Sequence, residues 1–195
     1  MMRTALRAFL ATVVLAALTG VVYPLLMTGL AQVAFHAKAE GSLVDEGGRP
    51  VGSDLIGQAW TGPAWFYGRP SALSTPYDAS TSGGSNLGPL SQPLADDIAE
   101  RAKAILAVER PYRPGVSEAD IPVDLLTASG SGLDPDISPA AALFQAPRIA
   151  AVRGLPLARV DALIRGQVIG RTLGVLGEPR VNVLSLNLAL QGLSR

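Results

Sequence analysis

The chain has 195 residues, and hydrophobic residues make up 48% of it, with a mean hydropathy of +0.31. Sixteen basic residues balance 16 acidic ones, so no global charge draws the chain to nucleic acid, whose phosphates demand clustered basic surface. Cysteine is absent and His36 is the only histidine, which removes disulfides, thiolate and multi-histidine metal sites, cysteine nucleophiles and Ser-His-Asp triads.

From Ala8 to Phe35 no residue is charged, a run of 28 positions. A helix rising about 1.5 Å per residue needs only about 20 residues to cross a hydrocarbon core. A cleaved signal peptide is the competing reading, because Arg3 and Arg7 precede the run and Ala37-Lys38-Ala39 resembles a cleavage site. Signal cores run only about 7–15 apolar residues, so a retained span over residues 8–35 is expected. It follows a cytoplasmic tail at residues 1–7 and precedes a soluble extracytoplasmic domain at residues 36–195. The orientation follows from Arg3, Arg7 and the amino terminus, which outweigh Lys38 on the other flank. The expected place is the cell's inner membrane, crossed once, with the C-terminal domain on the periplasmic side.

Within the span, Thr12, Ala16, Gly20, Pro24 and Thr28 recur every four residues. Small side chains at that spacing let a partner helix approach closely, since contact area and not hydrophobicity drives association in lipid. Pro24 is expected to kink the helix near Gly20, whose carbonyl loses its usual donor.

Beyond the span, Gly41 to Gly52 is polar, with Gly47-Gly48-Arg49-Pro50 as a turn and Asp54 to Gln58 as a short strand or turn. Four of the ten aromatics then fall within eight positions: Trp60, Trp65, Phe66 and Tyr67. They read either as an interfacial or partner contact, or as the cap of a small core with Tyr67 bonded through its hydroxyl. The loop Ser80 to Pro89 contains Ser82-Gly83-Gly84-Ser85, where successive glycines can turn N–H groups toward an anion or nucleotide. It leads into a helix expected from Pro93, buried along Leu94, Ile98, Ala102, Ile105 and Leu106. The chain has no P-loop, and Asp96 and Asp97 would oppose phosphate at that helix start, so an ordered structural loop is the alternative.

Ile121 to Leu126 reads as a strand. The loop Thr127 to Asp136 brings Asp134 and Asp136 close enough to consider a hard cation, without the ligand spacing of a calcium loop. Ser138-Pro139 reads as the cap and first turn of a helix that Pro147 should break, and Pro156 opens another, lined by Leu157, Val160, Leu163, Ile164, Val168 and Ile169 and ended by Gly177. Val181 to Leu190 alternates as a half-buried strand with a bulge at Val183-Leu184. The fold expected is one N-terminal transmembrane α-helix followed by a single mixed α+β, or α/β-like, globular domain.

These segments together resemble the C subunit of the bacterial Kdp potassium-transporting ATPase. The resemblance is carried by Thr19 to Leu25, Leu55-Ile56-Gly57-Gln58, Phe66-Tyr67-Gly68-Arg69-Pro70-Ser71-Ala72, Ser82 to Pro89, Val123 to Pro135, and Leu176 to Leu184, in order along nearly the whole chain. Asp136 stands where the family usually has histidine, and Gln92 where it more often has asparagine. The resemblance implies an accessory, non-catalytic subunit of an ATP-driven potassium uptake pump, without a metal or cofactor of its own. ATP and K+ would be used by the complex, and the partners would be membrane lipid, a channel-like potassium-binding subunit and a P-type ATPase subunit. It further implies a catalytic chaperone that raises the ATP affinity of the P-type subunit. The Ser82–Ser85 loop also resembles the signature loop of ABC transporters, which would invite direct ATP contact, yet the topology above puts that loop outside the cell. The alternative is an independent membrane-tethered periplasmic binding protein that uses its Gly/Ser-rich loops.

Overall fold

The computed structural model describes residues 1–193 and divides into two compact units, Met1–Val51 and a second beginning at Gly52. The first unit is dominated by a continuous apolar helix over Met2–Ala34, none of whose most apolar stretch is buried. It consists of α1 (Met2–Ala17), a π-helical stretch (Leu18–Val22) and α2 (Tyr23–Ala34). The π stretch lies in the turn before Pro24, where the missing N–H frees Gly20's carbonyl; such bulges accommodate an interrupted helical ladder. Thr12 and Thr19 turn their hydroxyls back onto the carbonyls of Ala8 (3.0 Å) and Leu15 (2.8 Å), so neither leaves a bare hydroxyl in an apolar setting.

The helix ends where Phe35 leaves helical geometry, and a single turn α3 (His36–Ala39) follows. Gln32 ties the ending together: its Oε1 lies 2.7 Å from Nδ1 of His36 and its Nε2 donates to Glu40 over 2.6 Å. A hairpin of β1 (Leu43–Glu46) and β2 (Arg49–Ser53) comes next. Its turn is Gly47-Gly48, both at positive φ, and Arg49-Pro50 belongs to the second strand rather than to the turn. Asp54 to Gln58 is a turn closed by a single bridge between Ser53 and Ile56.

The second unit is the expected mixed helix and sheet domain. Its elements are α4 (Gln92–Glu109), a 3₁₀ turn (Glu118–Asp120), α5 (Val123–Leu126), β3 (Asp136–Ile137), α6 (Pro139–Arg153), α7 (Leu157–Gly166), β4 (Val168–Ile169), β5 (Arg180–Asn182) and α8 (Val183–Leu193). The strands form an antiparallel sheet in the order β3-β5-β4, with Ile137 and Val168 both opposite Val181. Against it lies one core built from α4, α6, α7 and α8, centred on Ala102, Leu106, Ile149, Val160, Ile164, Leu186 and Leu190.

Four local expectations are corrected. Residues 121–126 are not a strand: Pro122, with its fixed φ, starts the single helical turn α5, and Thr127 hydrogen-bonds back to Val123's carbonyl at 2.9 Å. Pro147 does not break α6, because the residues around it, Ala146, Arg148, Ile149 and Ala150, are all buried and hold the helix in one piece. The helix after Pro156 stops at Gly166, and Val168 and Ile169 extend into β4. The tail is a strand only to Asn182. Asn182 Oδ1 then accepts from Ser185's N–H at 3.0 Å, caps α8, and the buried set Val183, Leu186, Asn187, Leu190 takes helical spacing. The shift in apolar parity at Val183-Leu184 marks this switch, not a bulge.

Candidate functional site

Long stretches between β2 and α4 have no regular structure, so their backbone groups must find partners elsewhere. Two sets of side chains supply them. The first is centred on Arg148, fully buried on α6. Its Nε donates to Glu109 Oε1 at 2.7 Å, Nη2 donates to Gln145 Oε1 at 2.8 Å, and Nη1 donates to the carbonyls of Pro63 and Trp65. Its guanidinium lies 4.5 Å from the Tyr67 ring centroid. Gln145 and Asn187 continue the clamp. Gln145 accepts from Tyr67's N–H at 2.8 Å, and Asn187 takes both backbone groups of Phe66, at 2.9 and 3.0 Å.

The aromatic run therefore caps the core. Phe66 is fully buried, the Trp60 and Trp65 rings meet at a 42° tilt with centroids 5.0 Å apart, Arg153 covers Trp65 at 4.5 Å, and the Tyr67 hydroxyl donates to Gly62's carbonyl at 2.9 Å. Burial pushes the Glu109 carboxyl up, against the pull of Arg148. Its second oxygen, Oε2, is buried without a hydrogen-bond partner. Glu109 also borders an apolar cavity of 260 Å³ lined by Ile105, Val108, Leu125 and Phe144.

The second set joins the Gly/Ser loops. Gly83 donates its N–H to Ser131's carbonyl at 2.9 Å, and the Ser82 hydroxyl donates to the same oxygen at 3.2 Å. Gly84 lies against Gly130 so closely that a Cβ on it would stand 3.2 Å from Gly130's Cα and carbonyl oxygen. The Ser71 hydroxyl donates to Gly132's carbonyl at 2.8 Å, and Ser129 N–H donates to Pro70's carbonyl at 3.3 Å. Arg69 bonds Asp134 at 3.1 Å and reaches the carbonyls of Thr127 and Ala128. Tyr77 donates its hydroxyl to Arg69's carbonyl at 2.6 Å; burial, with Asp134's charge adding to it, pushes this phenol up to about 12.

The expected anion or nucleotide loop, Ser82, Gly83, Gly84 and Ser85, thus sits on the 127–136 loop, with Ser82 and Ser85 exposed and the glycines half-buried. The N–H of Gly83, which an anion nest would use, is already donated to Ser131. The paired carboxylates are likewise engaged: Asp134 with Arg69, and Asp136 with Arg180 at 2.9 Å. Burial raises the Asp136 carboxyl, Arg180 opposing. Among the described residues, no group of three or more His, Cys, Asp or Glu is placed to hold a metal.

The span residues Thr12, Ala16, Gly20, Pro24 and Thr28 are all exposed on α1, the π stretch and α2. A four-residue repeat drifts around a helix of 3.6 residues per turn. Sequence reasoning missed Arg148 and Glu109 as a pair. They stand 39 positions apart, and the one signal for them is a charge in the apolar middle of α6, Arg148 among Ala146, Ile149 and Ala150.

Comparison with known proteins extends over this same chain. A family described as KdpC: K+-transporting ATPase, c chain, matches residues 5–192. A potassium-transporting ATPase KdpC subunit of Methylorubrum extorquens is 54% identical over 195 aligned residues, covering 94% of each chain. Proteins of the same name from Methylobacterium nodulans and Rhodospirillum rubrum are 56% and 53% identical, the latter over 97% of this chain and 96% of its own.

Proposed function

This chain belongs to the KdpC family, and from that premise we propose that it is an accessory, non-catalytic subunit of an ATP-driven potassium uptake pump. The observation that carries the reading is the apolar helix Met2–Ala34, whose most apolar stretch is nowhere buried among the described residues. Such a surface needs lipid and neighbouring helices, and the small residues from Thr12 to Thr28 give a neighbour room to approach. The chain enters the membrane with its N-terminus in the cytoplasm, as Arg3 and Arg7 direct, and its domain stands outside.

From there the domain packs on the channel-like potassium-binding subunit and stabilises the assembly. Its effect on the P-type ATPase subunit, including any rise in ATP affinity, is then indirect, transmitted through that subunit. The interlocked loops at residues 82–86 and 129–133 favour this over direct nucleotide contact, because Gly83's N–H already has a partner. They serve as a stiff surface.

Two measurements test the reading. Mild-detergent affinity purification from potassium-starved cells should bring down a channel-like subunit and a P-type ATPase in fixed ratio. Recovery of the chain alone from membranes that hold those partners refutes the subunit role. Protease added to intact spheroplasts should cut the domain; protection until lysis refutes the topology.

A further inference from the structure

The cavity beside Glu109 has no part in the subunit reading. Tyr67 and Pro70 of the irregular segment, Ile105 and Val108 of α4, Leu125 of α5 and Phe144 of α6 wall it, and its volume is 260 Å³. An apolar cavity of about 150 Å³ holds benzene, so this one has room for roughly ten non-hydrogen atoms. The lining grades from exposed Ala104 through half-buried Arg101, Ile105 and Val108 to buried Leu125, Phe144 and Glu109. The cavity therefore has a mouth on the outer side of α4 and an inner end that carries the carboxylate.

That carboxylate is short of one hydrogen bond. Glu109 is 2% exposed; its Oε1 accepts from Arg148 Nε, and its Oε2 has no partner. Buried acceptors are rarely left bare. Burial also pushes the carboxyl up, the mark of a charged form with too little solvation of its own. The other polar side chains on the wall are engaged. Gln145 accepts from Tyr67 and Arg148 and donates to the carbonyls of Tyr67 and Ala141. The Tyr67 hydroxyl donates to Gly62's carbonyl, and Arg101 holds Asp97 and the Leu126 carbonyl. An entering molecule thus finds apolar walls and an acceptor in want of a donor.

We propose that this cavity binds a small neutral aromatic molecule of the phenol class, its ring among Phe144, Tyr67 and the aliphatic wall and its hydroxyl donating to Glu109 Oε2. The proposal goes beyond the subunit reading and does not depend on it. Charge selects the neutral form. An ammonium is disfavoured, because Arg148 already neutralises Glu109, Arg113 lies over the Phe144 ring at 5.3 Å and Arg101 stands on the wall. A carboxylate would bring only lone pairs to an oxygen that needs a donor. Among neutral donors, a phenol O–H is more acidic than an aliphatic alcohol or an indole N–H, and an O–H bond to a carboxylate is of the short, strong kind. The aromatic rings on the wall favour a flat ring over an aliphatic chain.

The test uses the full-length protein in lipid nanodiscs, with naphthol as the probe and equilibrium dialysis against empty discs of the same lipid as the blank. Naphthol should show saturable uptake above the blank. Naphthalene, which fills nearly the same space without a donor, should bind about tenfold more weakly, the loss expected for a hydrogen bond to a charged acceptor. Naphthylmethylammonium and naphthoate should do no better than naphthalene. Equal binding of naphthol and naphthalene, a preference for either charged analogue, or no saturable uptake above the blank overturns the proposal.

Ala104→Trp locates the binding. The position is exposed, so the variant should keep the parent's thermal midpoint while its indole closes the mouth and abolishes saturable uptake of naphthol. Val108→Phe, on the half-buried wall, is a second block read in the same way. Loss of uptake in either variant with the parent's midpoint kept supports the assignment; uptake that survives in both places the probe elsewhere and sinks it. None of these results bears on co-purification, which tests the subunit reading separately.

Discussion

Arg148 and Glu109 meet at 2.7 Å with neither side chain reaching solvent, α6 supplying the cation and the last turn of α4 the carboxylate. The pair sits beneath the irregular segment at residues 63–67, whose Pro63 and Trp65 carbonyls the same guanidinium holds. Removing one partner strands the other as an uncompensated buried charge, at a cost of about 3–5 kcal/mol. Glu109→Ala should therefore lower the thermal midpoint sharply. The chain's two tryptophans, Trp60 and Trp65, lie on or beside the held segment, so the loss should be visible in their fluorescence. A double variant, Glu109→Leu with Arg148→Met, should recover much of the stability while leaving the tryptophan signal altered, because the two carbonyls still lack their donor. If the single and double variants unfold alike, the charge argument fails.

Asn187 bonds both backbone groups of Phe66 from a fully buried site on α8. Leucine is nearly the same size but can neither accept the N–H nor donate to the carbonyl. Each orphaned group costs about 1–3 kcal/mol, so Asn187→Leu should lose about 2–4 kcal/mol in denaturant unfolding. Asn182→Ala removes the cap bond to Ser185 and the bond to Asp54's carbonyl, at 3.0 Å each, together with a side-chain hydrogen bond to Asp136. Loss of the cap costs about 1 kcal/mol. The ordering, with Asn187 the costlier asparagine, is the result to check.

The glycines of the two interlocked loops are unequal. Gly84 faces the backbone of Gly130, whereas a Cβ on Gly130 meets nothing within 4 Å. Gly132 combines a positive φ of 71° with a Cβ direction that runs into Leu73 at 2.6 Å and Gly83's carbonyl at 3.0 Å. Gly130→Ala should be silent within about 0.5 kcal/mol. Gly84→Ala should cost about 1–3 kcal/mol by forcing the loops apart, and Gly132→Ala should be at least as damaging. Thermal midpoints of the three full-length variants rank them; a silent Gly132→Ala would show that the loops are not interlocked as described.

The long uncharged run, the α4 amphipathic face and the Ser138-Pro139 cap were legible because each is a local pattern with one physical cause: lipid thickness, helical spacing and an N–H in need of an acceptor. The tail was not. Val181 to Leu190 alternates like a strand, and the hydrogen bond from Ser185 to Asn182 that starts α8 depends on β5 being held by β3 and β4. Tertiary pairing overrode a short-range pattern there, as burial did for Pro147. The candidate loops at 82–85 and 127–136 were visible as glycine-rich segments. That they lean on one another, with Gly83's N–H already donated, is a long-range fact that composition does not encode. The Arg148–Glu109 pair was hidden for the same reason.

Tyr77 gives the domain a pH dependence at the alkaline end. Its hydroxyl can donate to Arg69's carbonyl only while protonated, and burial, with Asp134's charge adding to it, pushes the phenol up to about 12. A raised folded-state value means that the folded chain holds this proton after the unfolded chain has begun to lose it near pH 10. The stability so gained is whole below about pH 10 and disappears as pH rises through about 12. Tyr77→Phe should cost about 1 kcal/mol at neutral pH through the lost hydrogen bond. It should also make the stability of the variant fall less steeply than the parent's above pH 10. Phenolate absorbance checks the assignment directly: subtracting the variant's titration from that of the full-length parent in detergent should isolate one step near pH 12. A difference step at the ordinary phenol value would mean that Tyr77 is solvated, and that the Arg69–Asp134 corner is not the closed junction described.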